Sequence, residues 1–188
     1  MKTTENQNSN PATKNKILVY HGTTSLFDTI DVSMGKPYKD FGKGFYVTRT
    51  YSHAANLAKR NKRLEQERFG HKCEAYIYTY EIDLQMLKNF HVKDFVETDI
   101  EWMQFVLANR KSRERVHKYD ILIGPTADDD TSTVLNAYFG GFYGDVGSDG
   151  AISTAIRMIE ADKLPPQIYF ASNKATAILT QKGQAMQI

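Results

Sequence analysis

Apolar and polar positions alternate along this chain in short stretches, and the first of them marks where ordered structure should begin. Ile17-Leu18-Val19-Tyr20 is a β-forming run that leads directly into His21-Gly22-Thr23. Thr24 to Lys39 shows no period and holds Gly35 and Pro37, so an irregular connection is expected there. Phe41-Gly42-Lys43-Gly44 reads as a glycine turn feeding a second strand, Phe45-Tyr46-Val47-Thr48. Ser52 stands where an N-cap is expected, ahead of a helix to about Gln66 that turns polar and basic after Lys59. From Glu74 to Ile82 the alternation is clean. Tyr76, Tyr78 and Tyr80 share one face and Ala75, Ile77 and Thr79 the other, which predicts a strand.

Leu84 to Phe95 fits neither period and is left unassigned. Asp99 is placed to cap a helix carrying Trp102, Phe105, Val106 and Asn109 at helical spacing. Tyr119 to Gly124 reads as a buried strand. Two further helices are expected over Thr131 to Phe139 and Asp149 to Asp162, with a loop between them holding Gly140, Gly141, Gly144, Gly147 and Gly150. Pro165-Pro166 stops the second of these. Gln167 to Ala171 is the last expected strand, and Asn173 caps a final short helix. Strands and helices mix without a strict βαβ rhythm, and no segment repeats, which places the chain in the α+β class.

Composition bounds the rest. A chain of 188 residues, 41% hydrophobic, supports one sizeable core but not two. Met1 to Asn15 is rich in Lys, Thr, Asn and Gln and has no apolar stretch, so residues 1–15 are expected to form a disordered leader before a single domain over 16–188. A net charge of +2 argues for neither a nucleic-acid nor a membrane partner. Cys73 is the one cysteine, which excludes an intramolecular disulfide and points to a reducing, cytoplasmic compartment. No apolar run approaches the roughly 20 residues of a membrane span. Aromatic residues reach 12%, a generous supply of flat apolar surface for a core or a stacking site.

Three pieces carry candidate chemistry: His21-Gly22-Thr23 after an apolar strand, the Gly42/Gly44/Tyr46 turn, and Gln167 at the head of a late strand. In order and setting they resemble the poly(ADP-ribose) polymerase and diphtheria-toxin branch of the ADP-ribosyltransferases, which carries a His, a Tyr and a Glu (or Asp or Gln) on three strands. Val19-Tyr20-His21-Gly22-Thr23 is similar to that branch's apolar-x-His-Gly-Ser/Thr start. Phe41 to Tyr46 is similar to its Phe-Gly-Lys-Gly-Ile-Tyr turn and strand, and Ser52 to Asn56 resembles its Ser-x-Ser-Ala-Asn helix opening. Tyr119 to Asp129 resembles the Tyr-Asp-apolar-apolar-Ile-Gly-Pro strand and Ala-Asp-Asp turn of small bacterial members found beside antitoxins.

The resemblance implies a split β-sheet core flanked by helices, with NAD as substrate. His21 is then expected on a hydroxyl of the adenosine ribose, Gly22 and Thr23 on the nicotinamide amide, and Tyr46 against the nicotinamide ring. A cation over an aromatic face gains about 0.5–2 kcal/mol. Gly42 and Gly44 permit the turn that aims Tyr46 inward. Where the branch has its catalytic carboxylate this chain has Gln167, whose amide keeps a hydrogen bond but brings no charge and no base. Leu57 stands where a second stacking aromatic is usual. Ala54 stands where the branch has a serine, with Ser52 two residues away.

The remaining features are read without chemistry. Asp128-Asp129-Asp130 is an acidic turn or helix start, no carboxylate or histidine cluster completes a metal site, and His71 with Cys73 is too little for zinc. No metal is expected. Lys59 to Arg63 and Lys111 to Lys118 read as solvated basic faces, with a nucleic-acid-facing patch as the alternative. The loop from Gly140 to Gly150 lacks a P-loop ending and is expected to be mobile beside the site. The expected function is NAD-dependent mono-ADP-ribosyl transfer to a protein or nucleic-acid acceptor, in a toxin with a cognate antitoxin and no membrane partner. The alternatives are a catalytically silent NAD- or ADP-ribose-binding module, an NAD glycohydrolase, and an interaction protein that uses its aromatic surface for a partner and binds no NAD.

Overall fold

The apolar run at Ile17 continues through the histidine and glycine as one strand, β1 (Lys16–Thr23), in the middle of the sheet. The computed structural model describes residues 15–70, 72–127, 129–159 and 165–188, so all of the expected leader over residues 1–15 except Asn15 lies outside the described residues. After β1 come β2 (Phe45–Thr48), α1 (Tyr51–Phe69), β3 (Tyr76–Asp83), β4 (Val92–Asp94), α2 (Ile100–Lys111) and β5 (Ile121–Pro125). They are followed by α3 (Asp129–Phe139), α4 (Asp149–Met158), β6 (Pro166–Phe170), α5 (Asn173–Thr176), β7 (Leu179–Gln181) and β8 (Met186–Gln187). The fold is α+β, as the mixed pattern predicts.

Several boundaries differ from expectation. Thr50, not Ser52, is the N-cap of α1, and it makes no side-chain capping bond; Ser52 lies inside the first turn. Ser172, not Asn173, caps α5 by accepting from Ala175 N. The unassigned stretch is a 3-10 turn, Leu84–Asn89, followed by β4. β6 is not the last strand, because β7 and β8 both add to β3. Strands of two or three residues have no period of their own to read, and they exist only because a neighbour pairs them. Asp99 does cap α2, accepting from Trp102 N.

The described strands form one mixed sheet in the order β4-β5-β6-β2-β1-β3-β7, with β8 also on β3. Only β4 and β5 run parallel. One face carries Phe41, Trp102, Met103, Val106, Leu122, Leu135, Tyr138 and Tyr169, and α2, α3 and α4 close it. The other face buries Val19, Phe45, Val47, Tyr78, Tyr80, Ile168 and Phe170 under the loop that holds Phe27 and Ile30. The β1–β3 ladder is eight pairs long, from Lys16↔Asp83 to Thr23↔Tyr76. The β1–β2 ladder has a single pair, Tyr20↔Thr48, so β1 loses its pairing on the β2 side where His21, Gly22 and Thr23 follow, while the β3 side stays paired.

Candidate active site

His21, Tyr46 and Gln167 lie on β1, β2 and β6, three strands that are neighbours in the sheet. Thr48 is the register partner of both Tyr20 and Gln167, so one row crosses all three strands at residues 20, 48 and 167. Side chains alternate along a strand. Tyr46 and Gln167 therefore share the face covered by the helices, whereas His21 points to the other face with Phe45. The structure brings the three strands together but not the three side chains.

His21 closes the gap in the β1–β2 ladder. Its Nδ1 is 2.7 Å from the carbonyl oxygen of Tyr46. A carbonyl only accepts, so Nδ1 carries the hydrogen and Nε2 presents a lone pair. The ring stacks on Phe45 at 4.4 Å and meets Phe27 edge-on at 5.9 Å. Burial pushes its pKa down to about 4, against the opposing pull of the Tyr46 carbonyl, so the imidazole is neutral at neutral pH.

Tyr46 is committed to the glycine turn. Its hydroxyl donates to Gly42 O at 2.6 Å and accepts from Phe41 N at 3.1 Å. Its ring packs on Tyr169 with centroids 5.0 Å apart. Burial, followed by the nearby Asp40 charge, raises its pKa well above the usual tyrosine range. Gly42 has φ of +88°, which a side chain rarely adopts, so glycine is what lets the turn reach the Tyr46 hydroxyl. Gly44 packs directly against the Tyr169 ring and Phe170 O.

Gly22 lies flat against α1: a Cβ there would sit 2.0 Å from Ala54 O. Thr23 Oγ1 accepts from Ser25 N at 3.1 Å. Ser52 and Leu57 are exposed on α1, Leu57 at 40%.

Two residues absent from the sequence reading complete the site. Asp40 is only 6% exposed, and both of its oxygens are used. Oδ1 accepts from Arg110 Nε at 2.8 Å, while Oδ2 accepts from Ala127 N at 2.9 Å and from Gln167 Nε2 at 2.8 Å. The Arg110 guanidinium also donates to Ser132 Oγ and Ala127 O. Gln167 Nε2 reaches Pro125 O at 3.3 Å as well. Both groups facing that nitrogen are acceptors, which fixes the amide orientation and leaves Oε1 without a donor among the described residues. The one sequence signal for Asp40 is its place directly ahead of Phe41-Gly42-Lys43-Gly44. Arg110 is 70 residues away and reads only as the basic end of a helix.

The arrangement offers a neutral imidazole nitrogen and an oriented amide oxygen, both able to hold hydroxyls. It offers no unpaired carboxylate at residue 167 or residue 40. Among the described residues no group of three or more His, Cys, Asp or Glu is placed to hold a metal. Asp128 of the acidic turn and His71 lie outside the described residues. No described helix is long and apolar enough to cross a membrane. No curated protein and no solved structure matches the chain. A family match spans residues 17–181, from β1 through β7, and the chain belongs to that family, described as "Protein of unknown function (DUF3990)".

Proposed function

We propose that this chain binds NAD and transfers ADP-ribose to a macromolecular acceptor, as a mono-ADP-ribosyltransferase built on an ADP-ribosyltransferase-type α+β core. The observation that carries the reading is the adjacency of β1, β2 and β6, which bear His21, Tyr46 and Gln167 at far-separated sequence positions. The break in the β1–β2 ladder supports it further. Such a break frees backbone groups beside Gly22 and Thr23 for a carboxamide. In this reading His21 Nε2 holds a ribose hydroxyl and Gln167 Oε1 holds the hydroxyl next to the reacting carbon. Tyr46 acts by fixing the turn rather than by stacking. With no carboxylate or base at residue 167, catalysis rests on positioning and water exclusion. The acceptor is then a nucleophile that needs little deprotonation. A toxin with a cognate antitoxin is the biological setting the resemblance implies, and the protein or nucleic-acid acceptor is the partner to be found.

The test is a calorimetric titration with NAD, followed by an assay of nicotinamide release from the same sample with and without cell lysate. Saturable binding, with release only when lysate is present, is the expected result, and His21→Ala weakens both. Absence of NAD binding overturns the proposal. A second reading, a silent NAD- or ADP-ribose-binding module, is favoured by the Gln167 amide being 7% exposed and tied to Asp40. Binding without release under any condition selects it. Release without a labelled macromolecule selects a glycohydrolase.

A further inference from the structure

Between α2, α3 and the loop ahead of Asp40 lies a cleft of about 300 Å³, lined by Tyr38, Leu107, Arg110, Lys111, Ser132 and Asn136 among others. Tyr38 is its most unusual wall. At φ of +62° it is the one non-glycine residue in the left-handed region among the described residues. A bulky side chain there is strained, and such strain gathers at binding sites. Tyr38 is 54% exposed. Among the described residues no hydrogen bond or ring contact engages the aromatic group that this strained backbone presents.

The surroundings are cationic. Lys111 at the end of α2 is exposed and has no ion pair among the described residues. Lys36 and Lys39 flank Tyr38; Lys36 lies 3.9 Å from Glu65, and the Lys39 ammonium feels the Asp40 carboxylate as well as the charges of Lys36, Arg110 and Arg60. Asp40 offsets part of this charge at Lys39, while its two oxygens are bonded to Arg110, Ala127 and Gln167. Leu107 and Leu135 supply apolar wall, and Asn136 an amide. An exposed ring beside ammonium groups and an amide, at the lower end of ligand-pocket size, matches a base attached to a phosphate.

We infer that this cleft is a nucleotide-binding site, taking an aromatic base on Tyr38 and its phosphate at Lys111. The site does not rest on the NAD reading, and the probes below carry no nicotinamide. Two sources share this chemistry, a free mononucleotide and the phosphorylated end of a single strand.

The test is fluorescence anisotropy with a 3′-labelled single-stranded oligonucleotide bearing a 5′-phosphate, alongside a calorimetric titration with AMP. Saturable binding of at least one probe is expected, weakening as salt rises. Lys111→Ala and Tyr38→Gly should each lower affinity about tenfold, the scale of a lost phosphate contact or stacking partner. Tyr38→Phe should keep it. Tyr38→Gly also relieves the backbone strain, so its loss of affinity is not a loss of fold, which a melting curve confirms. Binding of AMP alone assigns the site to a free nucleotide, and binding of the oligonucleotide assigns it to a strand end. The inference is overturned if neither probe binds the wild type, or if affinity is unchanged in both Lys111→Ala and Tyr38→Gly.

Discussion

His21 holds two strands together with a side chain where a backbone ladder is missing. That role has a pH signature. Its folded pKa of about 4 lies below the ordinary value of 6.5, so on acidification the unfolded chain takes up the proton first. The stability it contributes is complete above the unfolded value and is lost as pH falls from 6.5 towards 4. At about 1.4 kcal/mol per pH unit the loss is at most about 3.5 kcal/mol. His53 and His117, also shifted down by burial, act in the same direction. Urea unfolding of wild type and His21→Gln at about pH 7 and about pH 4 isolates the part due to His21, with the variant expected to lose less on acidification. Equal losses in the two proteins would remove His21 as a titrating group. The sequence singled this residue out, but not which face of the sheet its ring would take.

At the scale of elements, the contact that matters most for the site is α1 on β1. Ala54, Ala55 and Ala58 are the buried residues of α1. They are small because the helix backbone must come down onto Gly22. A Cβ at residue 22 would meet Ala54 O at 2.0 Å, Ala54 C at 2.8 Å and Ala58 Cβ at 3.2 Å. Backbone cannot yield as a flexible side chain can, so Gly22→Ala should cost about 1–3 kcal/mol, the range for overpacking. Gly150→Ala is the control, because nothing lies within 4 Å of a Cβ there, and it should be neutral or slightly stabilising. Equal melting temperatures for the two variants would show that α1 does not bear on Gly22. The helix was legible from a capping-type residue near its start, β3 from its alternation, and β1, β5 and β6 from short β-forming runs. The edge strands β4, β7 and β8 were not, since they owe their existence to a partner.

At the scale of the whole molecule, one buried cluster ties distant segments together. Asp40 in the loop before β2, Arg110 at the end of α2, Ala127 after β5 and Gln167 on β6 meet within single hydrogen bonds. This cluster also explains the residue type at 167. A glutamate there would set its carboxylate where Gln167 Nε2 now stands, 2.8 Å from Asp40 Oδ2, with one Arg110 to serve both. Gln167→Glu should therefore destabilise the fold by about 3–5 kcal/mol, as expected when a buried pair is upset. Adding Asp40→Asn to that variant restores one donor and one carboxylate with the roles exchanged. The double variant should recover more than about 1 kcal/mol relative to additivity. Simple additivity in chemical denaturation would show that the two residues do not interact.

The sequence by itself determined the α+β class, the long elements and the candidate strings around His21, Tyr46 and Gln167, because period and turn chemistry are local properties of the chain. It could not determine that the imidazole and the phenol lie on opposite faces, since the break in the β1–β2 ladder depends on how two strands meet. Nor could it single out Asp40 and Arg110. A carboxylate beside a glycine turn and an arginine at a helix end are ordinary in isolation. Only the packing of α2 against the sheet buries Asp40, sets the partly buried Arg110 against it and makes each the partner of the other.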